Sequence, residues 1–126
     1  MKLIDTDVLI WNLRGNQKAA DALDSIEGLN ISAVTYMELV QGMRNKQELA
    51  LFRQAIHYWQ ARILHLTEQI STRSSFLVEE YSLSHSMQLA DALIAATALD
   101  HGLPLLTAND KHYRHIPDLE IEVFRP

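Results

Sequence analysis

The sequence contains no cysteine, which excludes a disulfide framework, a thiolate nucleophile and a zinc site built on cysteine. It is also poor in residues that interrupt regular structure, with four glycines and three prolines among 126 residues. No linker, internal repeat or low-complexity tract divides the chain. A chain of this length and uniformity is typical of one domain, so we predict a single domain spanning residues 1–126.

Features of membrane and secreted proteins are missing as well. The apolar runs are far shorter than the ~20 residues that a helix needs to cross a bilayer. The first residues, Met-Lys-Leu-Ile-Asp, lack the apolar core of a secretory signal peptide. We therefore expect a cytoplasmic protein that does not associate with a membrane.

Basic residues are scarce relative to acidic ones. Eleven lysines and arginines stand against sixteen aspartates and glutamates, which gives a formal charge of −5 with neutral histidines. This balance argues against a protein that coats nucleic acid through a basic surface. It does not exclude a nucleic-acid enzyme in which bound metal ions supply the positive charge. Hydrophobic residues make up 48% of the chain, which is enough to build a packed core.

Short apolar runs alternate with segments of helical periodicity. The runs predict strands over residues 2–4, 29–34, 63–66, 103–107 and 121–124. Helices are predicted over residues 7–13, 17–26 and 35–43, along an apolar stripe from 49 to 63, around 70–81 and over 88–99. Strands that alternate with helices are typical of an α/β fold. We therefore predict a three-layer α/β/α sandwich with a mostly parallel central sheet.

Four acidic residues fall at strand ends or near helix starts. Asp5 follows the first strand and Asp110 follows the fourth, while Glu38 and Asp91 lie early in two predicted helices. Each has a purely structural explanation, as a helix cap, a first-turn charge or, for Glu38, one half of a capping box with Thr35. The carboxyl ends of strands nevertheless form the binding edge of an α/β sheet. We therefore predict that the four acids converge there.

Neighbouring polar residues allow two interpretations. Asp7 is expected to be the N-cap of the first helix, and Asp110 the cap of a short helix through residue 116. The hydroxyls of Thr6 and Thr107 would either cap turns or hydrogen-bond to site acids and phosphate. The sequence leaves both interpretations open.

Converging carboxylates repel one another unless a cation or a proton lies among them. Oxygen ligands are typical of Mg²⁺ and Mn²⁺ sites. Such an ion polarises a phosphoryl oxygen and lowers the pKa of a bound water. The acids therefore predict metal-assisted hydrolysis of phosphodiester bonds.

Four motifs occur in an order that resembles one family. They are Ile4-Asp5-Thr6-Asp7-Val8-Leu9-Ile10, Ser32-Ala-Val-Thr-Tyr-Met-Glu38-Leu-Val-Gln-Gly42, Leu89-Ala-Asp91-Ala-Leu-Ile-Ala-Ala-Thr-Ala-Leu99 and Leu105-Leu-Thr-Ala-Asn-Asp110. Together they are similar to the PIN-domain ribonucleases, and closely similar to the VapC-type toxins of bacterial and archaeal toxin–antitoxin pairs. The resemblance extends from residue 1 to about residue 124 and implies a PIN-like fold.

The resemblance also implies roles for particular residues. Asp5, Glu38 and Asp91 match the family's most regular catalytic and metal-binding acids. Asp110, or its neighbour Asn109, falls at the more variable fourth acid and is predicted to complete that set. The segment ends in Lys111-His-Tyr113, where the family more commonly has Asp-Phe. The predicted accessory residues are Asp7, Thr6, Thr107 and Asn109.

The function implied by this resemblance is that of a Mg²⁺- or Mn²⁺-dependent endoribonuclease, the toxin of a toxin–antitoxin pair. Its expected partners are an RNA substrate, a cognate antitoxin protein and a second copy of the chain in a homodimer. Two alternatives remain open: a non-catalytic PIN-like binding module, and a PIN nuclease that processes RNA rather than acting as a toxin.

Several side chains outside the acids are candidates for contacts with ligands or partners. Basic residues that flank the early helices could contact RNA or simply be solvated: Arg14, Lys18, Arg44 and Lys46. Apolar residues on the same helices belong to the core or to a partner surface: Trp11, Met37, Val40 and Met43. His112 and His115 are spaced to share a metal, although solvated histidines are the expected arrangement.

Overall fold

The computed structural model describes all 126 residues of the chain. Five strands are present: β1 (Lys2–Ile4), β2 (Leu29–Ser32), β3 (Arg62–Leu64), β4 (Leu105–Thr107) and β5 (Ile121–Val123). Six helices connect them: α1 (Thr6–Leu13), α2 (Gln17–Asp24), α3 (Ala33–Gln41), α4 (Lys46–Tyr58), α5 (Glu68–His85) and α6 (Leu89–His101). A 3-10 turn, Asp110–His112, follows β4. None of the helices combines the length and the apolar character that crossing a membrane requires.

The strands form one sheet in the order β3-β2-β1-β4-β5, and every pair is parallel. Side chains of α1 to α4 build the apolar cluster on one face, and those of α5 and α6 build the cluster on the other. Consecutive strand residues alternate between the two: Leu3 joins the α5–α6 cluster and Ile4 joins the opposite one. The three-layer α/β/α sandwich is confirmed, and its sheet is parallel throughout.

The strand order creates a crevice at one edge of the sheet. β1 lies at the centre, with β2 on one side and β4 on the other. The chain first extends through β2 and β3, and later returns to the opposite side of β1 for β4 and β5. Such a reversal leaves a crevice at the carboxyl ends of the two strands where the direction changes, and α/β proteins place their binding sites there. Asp5 follows β1 and Thr107 ends β4, so both residues lie at this crevice.

Small residues bring α6 close to the sheet. Ala92, Ala95 and Ala96 have no exposed surface. Because an alanine side chain ends at Cβ, the helix backbone can approach α5 and the strands closely. This packing places the first turn of α6, which contains Asp91, at the crevice. Gly102 ends the helix in a left-handed conformation with a φ of 61°, as its position in the sequence predicts.

Two helix starts near the crevice differ from those predicted. Asp5, rather than Asp7, is the N-cap of α1, because its carboxylate accepts a hydrogen bond from the backbone N–H of Thr6. After β4 the chain forms only the 3-10 turn Asp110–His112 instead of a helix through residue 116. Asn109, the residue before this turn, makes no capping hydrogen bond with its side chain. The cap of α1 falls at Asp5 because β1 ends at Ile4, directly before it.

Two further boundaries are displaced. β2 ends at Ser32, whose hydroxyl caps α3, so Thr35 lies inside the helix and its capping box with Glu38 does not form. The apolar stripe from 49 to 63 belongs to two elements, because α4 ends at Tyr58 and Ile63 lies in β3. Gln60, with a φ of 51°, turns the chain between them. The apolar spacing of three and four residues thus continues past the end of α4 into β3, so the sequence pattern alone does not show where the helix ends.

Candidate active site

Asp5 is the centre of the polar cluster at the crevice. Its side chain is buried, with 5% of its surface exposed, and it accepts three hydrogen bonds. Oδ1 accepts from the backbone N–H of Thr6 at 2.9 Å and from the hydroxyl of Tyr113 at 3.1 Å. Oδ2 accepts from the hydroxyl of Thr107 at 2.8 Å. Two parallel strands and the segment after β4 therefore hold one carboxylate in place.

The environment of Asp5 favours its protonated form. The pKa of this carboxyl is raised to about 7, chiefly by burial and then by the nearby charges of Asp7 and Asp91. The hydrogen bonds from Thr107 and Thr6 act in the opposite direction but do not offset the burial. Near neutral pH, therefore, Asp5 holds a proton or requires a nearby cation.

The hydroxyl of Tyr113 contacts the carboxylates of both Asp91 and Asp5. The Tyr113 hydroxyl lies 3.2 Å from Oδ1 of Asp91 and 3.1 Å from Oδ1 of Asp5. A phenol has a single proton, so it donates to only one of these carboxylates at a time. Burial raises the pKa of Tyr113, and both acids add to the effect, so the phenol stays neutral. The contact with the second carboxylate is then favourable only if a proton or a cation is shared between the acids.

Glu38 lies at the rim of the cluster. Its side chain is exposed, and its Oε1 accepts a hydrogen bond of 2.8 Å from the hydroxyl of Thr6. The Thr6 hydroxyl also lies 3.0 Å from that of Thr35 on α3. Thr6 thus connects Glu38 to the residue next to Asp5, although Glu38 makes no direct hydrogen bond to Asp5 or Asp91. Its carboxylate faces the solvent from which a substrate would approach.

Asp110 is directed to a different partner. Its Oδ1 accepts a hydrogen bond of 3.0 Å from Nη2 of Arg125, which holds the pKa of Asp110 below its ordinary value. The structure shows no hydrogen bond between Asp110 and Asp5, Glu38 or Asp91. The sequence prediction that Asp110 joins the other acids therefore has no support from the contacts of this structure.

Asp7, unlike Asp110, lies near enough to Asp5 for its charge to raise the pKa of that carboxyl. Its Oδ2 accepts hydrogen bonds from the backbone N–H of Ala108 at 3.1 Å and from the side-chain amide of Asn109 at 2.7 Å. Its Oδ1 is buried without a hydrogen-bond partner, and burial raises the pKa of this carboxyl. Asn109 is thus occupied in fixing Asp7, and Asp7 adds a third acid to the buried part of the cluster.

Tyr113 is a residue of the site that the sequence did not predict, and His112 was expected to be solvated. Tyr113 is completely buried between Asp5 and Asp91, and Nδ1 of His112 lies 3.3 Å from Oδ2 of Asp91. The available signal was the segment Lys111-His-Tyr113, where the chain departs from the family pattern. A tyrosine there is otherwise interpreted as a core residue, and a histidine as a solvated one.

The donor set fits a hydrated divalent cation. No three histidine, aspartate or glutamate side chains converge closely enough to enclose an ion by themselves. Mg²⁺ does not require this, because it keeps several waters and binds through one or two carboxylates. Asp5 and Asp91 supply two carboxylates around one phenol, and the unpartnered Oδ1 of Asp7 is a buried acceptor that lacks a donor. Each of these features favours a positive charge at the crevice.

The raised pKa of Asp5 predicts how the metal-free protein responds to pH. Its carboxyl has a pKa of about 7 when folded and 3.8 ordinarily, so the folded state retains a proton that the unfolded state has released. Raising the pH through this window therefore lowers the free energy of unfolding, by about 1.4 kcal/mol for each unit of pKa difference. Thermal melts in EDTA between about pH 4 and pH 8 measure the slope.

The control for this prediction is Asp5→Asn, which removes this titrating group and should reduce the slope. Asp7, whose pKa burial also raises, still contributes with the same sign in the variant. His115 contributes with the opposite sign, because burial lowers its pKa and stability is gained as the pH rises toward 6.5. That contribution is present in both proteins and cancels in the difference between them. Equal slopes for the wild type and the variant would contradict the assignment to Asp5.

The chain matches a known family along most of its length. A family model described as PIN domain matches residues 2–119. Ribonuclease VapC10 of Mycobacterium tuberculosis is 38% identical over 117 residues, which cover 90% of this chain and 86% of that protein. Ribonuclease VapC19 of the same organism is 35% identical over 127 residues, covering 95% and 98%. A solved toxin-antitoxin complex from Klebsiella pneumoniae aligns with a TM-score of 0.80 and 32% identity, over 94% of this chain and 95% of that chain.

Proposed function

The chain belongs to the PIN domain family, and from this premise we propose that it is an endoribonuclease toxin restrained by a cognate antitoxin. The observation that carries the proposal is the pair of carboxylates, Asp5 and Asp91, held around one buried phenol at the crevice. A chain with this pair intact has the groups needed for phosphodiester hydrolysis, which favours an enzyme over a non-catalytic binding module. A ribonuclease toxin meets its RNA in the cytoplasm, where we propose that this chain acts.

We propose that Asp5 and Asp91 hold Mg²⁺ or Mn²⁺ with water completing the coordination. When bound, such an ion supplies Lewis acidity toward the phosphoryl oxygen and lowers the pKa of its water. Thr107 and Tyr113 fix the orientation of Asp5, and Glu38 at the rim orients the attacking water through its exposed carboxylate. Attack of water on the phosphorus with departure of the 3′ oxygen, as the family resemblance implies, leaves a 5′-phosphate and a 3′-hydroxyl.

The direct test is cleavage of a mixed RNA pool by the purified protein in Mg²⁺, in Mn²⁺ and in EDTA, followed by sequencing of the new RNA ends. We expect cleavage with either ion, none in EDTA, and 5′-phosphate ends. Asp5→Asn is the matched control, because it keeps the shape of the side chain while removing its charge. Cleavage that survives in EDTA or in Asp5→Asn would contradict the proposal.

A groove beside Glu38 is suited to the antitoxin. It has a volume of about 480 Å³ and is formed by α1, α3 and the start of α4. Its lining is half apolar, with Leu13, Leu51 and Met43 among the residues that face it, and Glu38 lies at its end toward the crevice. An extended segment with apolar side chains and a basic residue would fill this groove and cover the acids at once. We propose that the antitoxin binds there.

Leu51→Glu tests this placement. Leu51 is 55% exposed, so the substitution leaves the core intact but puts a charge into the groove. We expect antitoxin affinity to fall at least about tenfold, equivalent to ~1.4 kcal/mol, while RNA cleavage by the free toxin is unchanged. Ala50→Glu is the control, since it adds the same charge to an exposed position of α4 outside the groove. Equal capture of both variants by the co-expressed neighbouring gene product would exclude the groove.

We also propose that the chain forms a homodimer. Phe76 and Leu83 on α5 are 63% and 98% exposed, and their spacing of seven residues places them on one face of the helix. An exposed apolar face of this kind is typical of an association surface. Light scattering should give the mass of a dimer for the wild type and of a monomer for Phe76→Glu, and a monomeric wild type would contradict the proposal.

A further inference from the structure

His112 is the one imidazole that reaches the acid cluster from the segment after β4. Its Nδ1 lies 3.3 Å from Oδ2 of Asp91, the oxygen that does not contact Tyr113. The imidazole is 54% exposed, and Asp91 is the one acid whose carboxylate lies in contact with its nitrogens.

We propose that His112 is a nitrogen ligand of the ion that Asp91 holds, and that it makes the site prefer a first-row transition ion such as Mn²⁺ over Mg²⁺. This inference rests on the proposed function, because it assumes that Asp91 binds a divalent ion. It concerns the kind of ion and the donor atoms, and it does not depend on which RNA is cut.

The spacing of the two donor atoms supports joint coordination. Two ligands at right angles, each about 2.1 Å from one ion, lie ~3 Å apart. The 3.3 Å between Nδ1 of His112 and Oδ2 of Asp91 is close to that separation. An ion on the solvent side of this pair would therefore be within reach of both atoms after a small adjustment of an exposed ring.

The other donors after β4 are already engaged. Asp110 pairs with Arg125, the side-chain amide of Asn109 donates to Asp7, and Thr107 donates to Asp5. His115, three residues beyond His112, stacks on His85 with ring centroids 4.2 Å apart and packs against Tyr81. Among these residues, His112 is thus the one whose side chain contacts Asp91. The spacing of His112 and His115 would allow them to share a metal, but His115 packs against His85 and Tyr81 instead.

A nitrogen donor changes which ions bind well. Mg²⁺ takes oxygen ligands almost exclusively, whereas the affinity of mixed nitrogen and oxygen sites rises along the first-row transition series. Replacing one oxygen ligand by imidazole therefore penalises Mg²⁺ relative to Mn²⁺. A chain with an acid at position 112 would lack this preference.

The experiment uses Mn²⁺ itself as the probe, in the full-length protein at about pH 8. Pulsed electron paramagnetic resonance detects ¹⁴N nuclei bonded to Mn²⁺ without any need for catalysis. We expect imidazole ¹⁴N modulation in the wild type, its loss in His112→Asn, and its retention in the matched control His115→Asn. Competition titrations should show that His112→Asp lowers the Mn²⁺ to Mg²⁺ affinity ratio about tenfold.

The outcomes separate this inference from the proposed function. Mn²⁺ that binds at the acids but shows no imidazole nitrogen in the wild type would overturn the role of His112 and leave the ribonuclease proposal intact. Nitrogen modulation that persists in His112→Asn, or that is lost equally in His115→Asn, would overturn it as well. If no Mn²⁺ binds to the wild type at millimolar concentration, the inference fails together with metal dependence, which the cleavage assay in EDTA checks independently.

Discussion

Asp91→Asn is expected to lower RNA cleavage about a thousandfold, equivalent to ~4 kcal/mol of transition-state stabilisation, and yet to raise the melting temperature of the metal-free protein. The loss of activity follows because Asp91 is one of the two carboxylates around Tyr113 that would hold the ion. The gain in stability follows because Asp91 is one of the charges that raise the pKa of buried Asp5. Without Asp91, Tyr113 donates to Asp5 alone and the repulsion is relieved.

The position of Asp91 at the start of α6 leads to the opposite expectation for the stability of Asp91→Asn. A carboxylate in the first turn of α6 stabilises by about 0.3–1 kcal/mol through the helix dipole, with or without metal, and Asp91→Asn would remove that contribution. Thermal melts in EDTA at about pH 8 distinguish the two effects by sign. An ion at 100 times its Kd for the wild type should stabilise the wild type by about 2.7 kcal/mol and the variant by less. A variant that melts lower in EDTA and responds equally to metal would rule out clustered acids.

Asp110→Asn provides the matched comparison for this experiment. Asp110 is the acid of the fourth motif, but the structure pairs it with Arg125. We expect its replacement to leave cleavage within a few-fold of the wild type. A loss as large as that of Asp91→Asn would instead assign Asp110 to the site and would require its carboxylate to leave Arg125 when substrate or metal binds.

Tyr113→Ala is expected to lower the free energy of unfolding by about 4 kcal/mol and to abolish cleavage. The ring of Tyr113 is completely buried against the core formed by α5, α6 and the sheet, so truncation leaves a cavity next to Asp5. Tyr113→Phe keeps the ring and removes only the hydroxyl, at a cost of about 1 kcal/mol. Urea unfolding of both variants measures the difference.

The pair of variants distinguishes the two roles of this side chain. If Tyr113→Phe is destabilised as much as Tyr113→Ala, the hydroxyl between the two carboxylates, and not the ring, holds the segment after β4 in place. If Tyr113→Ala unfolds within about 1 kcal/mol of the wild type, the ring is not a core residue in solution.

The sequence predicted the sheet and the position of Asp5 at its binding edge for a simple reason. Apolar runs too short for helices define buried strands, and parallel strands bring their carboxyl ends to one edge, so residues that follow them must be neighbours. Asp91 follows no strand, and it meets Asp5 because α6 packs closely on the sheet. The cap of α3 was missed because β2 was predicted through residue 34 and ends at Ser32. The cap of α1 was missed although the end of β1 was predicted correctly, because Asp5 and Asp7 are capping residues of the same type.

The partner of Asp110 and the role of Tyr113 depended on tertiary contacts. Arg125 lies fifteen residues after Asp110, and nothing in the local pattern indicates that the two pair. The Tyr113 hydroxyl meets carboxylates from the beginning of the chain and from α6, so its position is defined only once the sheet and both helical layers are assembled.

The central position of β1 has a consequence for when the protein becomes active during its synthesis. During synthesis Asp5 leaves the ribosome well before its hydrogen-bond partners Thr107 and Tyr113, which lie 102 and 108 residues further along the chain. Until the chain through Tyr113 has emerged, the carboxylate of Asp5 lacks the two hydroxyls that hold it, and nothing links it to Asp91. The arrangement of the two carboxylates around one phenol therefore forms only after the segment that follows β4 has been made.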